Sequence, residues 1–144
     1  LAVVRQFGLL LSFSGSHTAG SPALRACSTA WLIQAMIKDL QGHLRLKLNL
    51  SMAVAVSEAG IGSSADIYPA LYSQHIIDEL AGIVEEEPEA ILLAPGPCED
   101  LGVQQHCLLG PVDSRHYHEL AGFDEPHAKL LEGQLLLLRE KLGA

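Results

Sequence analysis

The octapeptide His43 to Leu50, HLRLKLNL, constrains the fold more than any other part of the chain. Leu44, Leu46, Leu48 and Leu50 alternate with Arg45, Lys47 and Asn49. A period of two places leucines on one face of a pleated strand and charges on the other. The alternation, continued through Met52 to Val56, predicts a β-strand with one face against a core. A chain with such a strand needs other strands to pair with it and something apolar to cover it.

The neighbouring segments supply both. Ser21 and Pro22 have the chemistry of a helix N-cap and first helical residue. Leu24, Cys27, Trp31, Leu32, Ala35 and Met36 then recur at helical spacing, so a helix is expected from Ala23 to Leu40, with Gly42 ending it. A second helix is expected over Ile67 to Ile83, and a short buried strand over Ala90 to Ala94, bounded by Pro88 and Pro95. Val3, Val4 and Leu9 to Phe13 read as strand material with a break at Gly8. Gly96 to Arg115 reads as irregular, with Val103 to Leu109 as an edge strand, and His116 to Gly122 as a short helical piece. Asp124 is the expected cap of a last helix, with Pro126 in its first turn, running to about Leu142. Strands alternating with helices imply an α+β or α/β fold: one few-stranded sheet packed with three to four helices in a single domain over residues 1–144. That domain is expected to be either a whole protein or a piece of a longer one.

Charge narrows the partners. Nine basic residues stand against seventeen acidic ones, a formal net charge of −8. Nucleic-acid binding requires clustered Lys and Arg to displace counterions, and the sequence offers no such cluster. An anionic membrane surface is disfavoured for the same reason. Glu85, Glu86, Glu87 and Glu89 concentrate part of the acidity in what reads as a solvated loop. The three cysteines, Cys27, Cys98 and Cys107, show no C-x-x-C spacing, which argues against a disulfide framework and points to a reducing, cytoplasmic setting. Cys98 and Cys107 are the pair near enough in sequence to meet across a loop. Cys98 precedes two acids, which favour its neutral thiol over the thiolate.

Three stretches carry candidate chemistry. In SEAGIGSSAD, Gly60, Gly62, Ser63 and Ser64 lie between the predicted strand and the predicted second helix. Unsatisfied backbone donors at a helix N-terminus, approached through glycines, suit a phosphate, and the two hydroxyls suit phosphate oxygens or magnesium. The competing reading is a turn that only reverses and caps. Pro69 bears on the choice: a helix starting at Ser63 would carry it in the interior, whereas one starting at Asp66 tolerates it in the first turn. His116 and His118 would share a face on a strand but diverge on a helix. Asp113, Glu119, His127 and Cys107 lie near them in sequence, so zinc is a consideration only for an extended segment. Leu135 to Leu138 cover more than one face of the last helix, implying deep burial or contact with a second copy.

The run Gly60-Ile61-Gly62-Ser63-Ser64-Ala65 resembles the ATP-loop signature of the galactokinase, homoserine kinase, mevalonate kinase and phosphomevalonate kinase superfamily, with Val56 at its proline position. Upstream, Gly8 to Leu24 (GLLLSFSGSHTAGSPAL) is similar to the superfamily's N-terminal strand and turn. The resemblance implies ATP and magnesium as cofactors. It assigns Gly60, Gly62, Ser63 and Ser64 to the nucleotide phosphates and metal, and Ser16 and His17 to a small-molecule substrate. Phosphoryl transfer to that metabolite would be the reaction. A second similarity links Ser14 to Gly20 (SGSHTAG) to the S-S-S-H-T-x-G run in the β domain of iron-sulfur L-serine dehydratases, with Gly62 to Asp66 at the place of a downstream G-H-x-T-D run. It implies a non-catalytic β-like domain. The remaining expectation is a non-catalytic α/β domain that self-associates through its C-terminal leucine-rich helix.

Overall fold

The computed structural model describes residues 2–4, 8–11, 13, 15, 20–44, 52–55, 90–112 and 117–143. Its architecture is α+β: among the described residues, a four-stranded mixed sheet with four helices, and a separate two-stranded ribbon. The ribbon pairs β1 (Ala2–Val4) antiparallel with β2 (Gly8–Leu10), Ala2 opposite Leu10. Gly8, the expected break, is the first residue of β2 and stands opposite Val4, the last of β1.

Helix α1 (Pro22–Leu44) starts where the sequence places it. Ser21 Oγ accepts from the Leu24 N–H at 3.2 Å, and the Ser21 carbonyl takes the Arg25 N–H at 2.9 Å. Its far end departs from expectation, since the helix runs through Gly42 and takes up His43 and Leu44, the first residues of the predicted strand. A glycine costs a helix about 1 kcal/mol relative to alanine, which is too little to stop one held elsewhere along its length. Asp39, one turn before Gly42, provides such a hold through Arg139 on the last helix. The alternating residues 45–50 lie outside the described part, and β3 (Met52–Val54) follows them as a strand. The helix predicted over 67–83 and the acidic run 85–89 also lie outside it.

Strand β4 (Ile91–Leu93) is the buried strand expected from AILLA. It runs parallel to β3, with Met52 opposite Ile91 and Val54 opposite Leu93, and the Ala94 N–H donates to the Val54 carbonyl at 3.0 Å. Its alternate residues serve two faces. Ile91 and Leu93 join Leu24, Cys27, Ala30, Val103, Leu120, Phe123 and Leu131 in the main core. Leu92 and Ala94 join Ala53, Ala55, Ala90 and Tyr117 on the other face. A strand buried on both faces reads as a continuous apolar run, which is why five letters sufficed to identify it.

The segment expected to be irregular contains two short helices and an edge strand, and of the residues expected in that strand Val103 to His106 are helical. Helix α2 (Pro95–Cys98) opens on Pro95, and α3 (Leu101–His106) is capped by Asp100, whose side chain accepts from the Val103 N–H. Strand β5 (Cys107–Val112) then pairs antiparallel with β6 (His118–Phe123), the register shifting on either side of Leu109. The sheet order is β3-β4-β6-β5. The helical reading of 116–122 is therefore corrected from His118 onward: backbone pairing to β4 on one side and β5 on the other outweighs local propensity.

Helix α4 (His127–Lys141) closes the core through Leu131 and Leu135. Its cap is Pro126 rather than Asp124, and no side chain makes a capping hydrogen bond there. Asp124 contributes through its backbone, its carbonyl accepting from Ala128 N and its N–H donating to the His106 carbonyl, both at 2.9 Å. The Trp31 and Phe123 rings meet edge to face at 6.3 Å, fixing α1 over the sheet.

Candidate functional site

Among the described residues, two groupings around α1 carry side chains of the kind used in catalysis, a serine–histidine pair and a cluster of thiols. The first lies where α1 passes the start of α4. His127, the first residue of α4, is 8 % exposed, and its Nε2 is 2.9 Å from Ser28 Oγ. Phe123 and His106 flank the imidazole at ring-centroid distances of 5.1 and 5.4 Å. Burial, and then the neighbouring His106, hold His127 below its ordinary pKa, so the neutral ring is favoured. The pair opens on a groove of about 230 Å³ rimmed by Phe13, Leu32 and Leu130, with Arg25 at its side.

A serine beside a neutral histidine invites comparison with a nucleophile and its base, but the proton count opposes it. Ser28 Oγ donates its single proton to the Leu24 carbonyl at 2.8 Å, one helical turn back. The oxygen is then the acceptor, and Nε2–H of His127 is the donor. In that arrangement the histidine holds a hydrogen instead of removing one. The groove is also smaller than the roughly 300–1,000 Å³ usual for small-molecule sites. The Ser28–His127 pair is a polar tie between α1 and α4 within an otherwise apolar contact.

The second constellation is made of thiols. Cys27 on α1 is fully buried, Cys107 at the start of β5 is 7 % exposed, and Cys98 at the end of α2 packs half-buried against the same cluster. The neighbouring Cys107 thiol, and then burial, push Cys27 up and leave its proton in place. The Cys27 thiol in turn lowers Cys107. Cys98 is pushed up by burial, then by Cys107 and Glu99, so the expected neutral thiol is found there with burial as the leading cause. Cys98, expected to lie near Cys107 across a loop, packs against the cluster that holds Cys107, and Cys27, eighty positions from Cys107, belongs to that cluster as well.

Of the residues singled out in sequence, Gly60, Gly62, Ser63 and Ser64 lie outside the described residues, as do Ser16, His17, Asp113 and His116. The described structure bears on the glycine loop only through its approach. Because β3 and β4 are parallel, their carboxyl termini lie at the same end of the sheet, where Ala94 and Pro95 follow β4. His118 lies on β6, where its Nδ1 is 3.1 Å from the Gly110 carbonyl, while His127 is across the core on α4. Among the described residues no three His, Cys, Asp or Glu side chains are grouped to hold a metal ion. Nor is any described helix long and apolar enough to cross a membrane.

Sequence reasoning passed over both constellations. Ser28 and His127 are 99 positions apart, and no short motif marks either. The class defined by this fold is a small α+β domain with helices packed on a mixed sheet and an open, leucine-rich last helix. Compared with known proteins, the chain matches no family model, no curated protein and no solved structure.

Proposed function

We propose that the chain is a non-catalytic association domain that pairs with a second copy of itself through α4. The observation that supports this most is the exposure of that helix: Leu130, Leu136 and Leu137 are 53, 59 and 60 % exposed. Leu130, Gly133 and Leu137 follow i, i+3, i+7 spacing and so share one flank. A Cβ at Gly133 would meet nothing within 4 Å, leaving room there for close approach of another backbone. Charge favours like pairing at this place over others. The chain as a whole carries −8, which repels a second copy, whereas α4 bears three basic residues against two acidic ones. A two-fold pairing would set this flank against itself.

Sedimentation equilibrium tests the proposal. A dimer is expected for the native chain, and a monomer with unchanged circular dichroism for Leu130→Glu and Leu137→Glu together. A native chain that stays monomeric across the micromolar range overturns it.

A second reading is phosphate binding by Gly60, Gly62, Ser63 and Ser64, with ATP and magnesium as ligands and Ser16 and His17 toward a small substrate. What supports it is the parallel β3–β4 pair, since ligands of such sheets gather beyond the carboxyl ends of the strands. Mg-ATP at about a hundred times its Kd should stabilise the fold by about 2.7 kcal/mol, and Gly62→Val should abolish the shift. No shift at millimolar nucleotide sinks this reading and leaves the first untouched.

A further inference from the structure

The exposed flank of α4 does not end at Leu137. Lys141, one turn further on, is exposed on the same side, so the stripe Leu130, Gly133, Leu137, Lys141 runs the length of the helix. Its two ends carry opposite charge. Asp124 and Glu125 stand exposed in the segment that leads into α4, whereas the last turn holds Arg139 and Lys141 beside Glu140. Arg139 is engaged by Asp39 of its own chain at 2.6 Å, and Lys141 is the exposed base of that end. Building on self-association through α4, we propose that the two copies cross antiparallel about Gly133, each Lys141 meeting the partner's Asp124 and Glu125.

The spacing suits that direction. Lys141 lies eight residues beyond Gly133 and Glu125 eight before it, about 12 Å of helix rise each way. A two-fold axis beside Gly133 therefore brings each base level with the partner's acids. Leu137 comes level with the partner's Lys129 and Leu130. Helical side chains lean toward their own N-terminus, so in opposed helices Leu137 and the partner's Leu130 lean toward each other. The stem of Lys129 lies along the same leucine with its charge in water. Glu140 stands about 100° round the helix from Lys141 and so off this line. At the crossing, the open space over Gly133 lets the two backbones approach. A parallel pair would instead set acids against acids and bases against bases, with like ends of the helix dipoles side by side.

Charge reversal tests the direction separately from the association. By sedimentation equilibrium at low ionic strength, Glu125→Lys and Lys141→Glu should each weaken the dimer about 3- to 30-fold, because every contact occurs twice across the axis. The two changes in one chain restore opposite charges and should return the affinity to within about threefold of native. Circular dichroism should be unchanged in all three, and high salt should erase the differences between them. A parallel dimer would respond to none of the reversals, since each exchanges one like pair for another. A native chain that is monomeric removes self-association and this proposal with it. A native dimer that ignores both single reversals, or whose double reversal is no tighter than the singles, overturns the antiparallel crossing alone.

Discussion

Ser21 Oγ donates to Asp100 Oδ2 across 2.6 Å, and through this bond the first turns of α1 and α3 share one carboxylate. The same oxygen accepts from the Val103 N–H at 3.1 Å, while Ser21 Oγ accepts from Leu24 N–H. Each residue therefore caps its own helix and holds the other's cap in place. Replacing either cap by alanine should cost about 1–2 kcal/mol. Because each change also frees the partner, Ser21→Ala and Asp100→Ala together should cost less than their sum, by at least about 0.5 kcal/mol. Urea unfolding of the four proteins in the cycle measures this, and additive losses would show that the caps act separately.

Gly102 lies in the angle between those two caps. A Cβ there would stand 3.0 Å from Ser21 Oγ and 3.1 Å from Asp100 Oδ2, closer than either oxygen tolerates without moving. Gly102→Ala should therefore destabilise the fold by about 1–3 kcal/mol, although alanine is the better helix former. In a Ser21→Ala background one of the two clashes is gone and the loss should shrink. An equal loss in both backgrounds would place the strain elsewhere.

His127 predicts a pH response with a definite sign. Its folded pKa is depressed by burial and by His106 below the ordinary 6.5, so the unfolded chain takes up a proton before the folded one does. Stability is full above 6.5, declines as the pH falls below it, and levels off once the folded ring also protonates. His106 is the other titratable group against the ring, and Arg25 lines the adjoining groove. His127→Gln should retain a polar partner for Ser28 and flatten the decline in urea midpoint between neutral and mildly acidic pH. An unchanged slope would assign the response to other groups.

The parts of the fold legible in sequence are those whose cause is local. Ser21-Pro22 announces the start of α1 because cap and first-turn chemistry involve neighbours in sequence. AILLA announces β4 because burial on both faces leaves no polar position. His118 to Phe123 misled for the opposite reason, since its strand character comes from β4 and β5. Asp124 offered a plausible cap, but the chain turns onward through Glu125 and Pro126 before α4 begins. The two constellations were illegible for a stronger reason: Cys27 with Cys107 and Ser28 with His127 are brought together by the packing of α1 alone, and no spacing encodes that.

Within α4 the leucines should divide sharply by position. Leu131 is 2 % exposed and belongs to the main core, whereas Leu137 is 60 % exposed on the outer flank. Leu131→Ala removes packed methyl groups and leaves a cavity, so a loss of about 2–5 kcal/mol is expected. Leu137→Ala removes surface that water already reaches, so in a dilute monomer the change should stay within about 0.5 kcal/mol. Concentration separates the two roles of the helix. If the outer flank pairs with a second copy, the Leu137→Ala cost should grow as protein concentration rises, because association stabilises the folded state by mass action. The Leu131→Ala cost should not grow in that way. Urea midpoints measured at two widely separated protein concentrations decide the matter, and a Leu137→Ala cost independent of concentration would assign that flank to solvent alone.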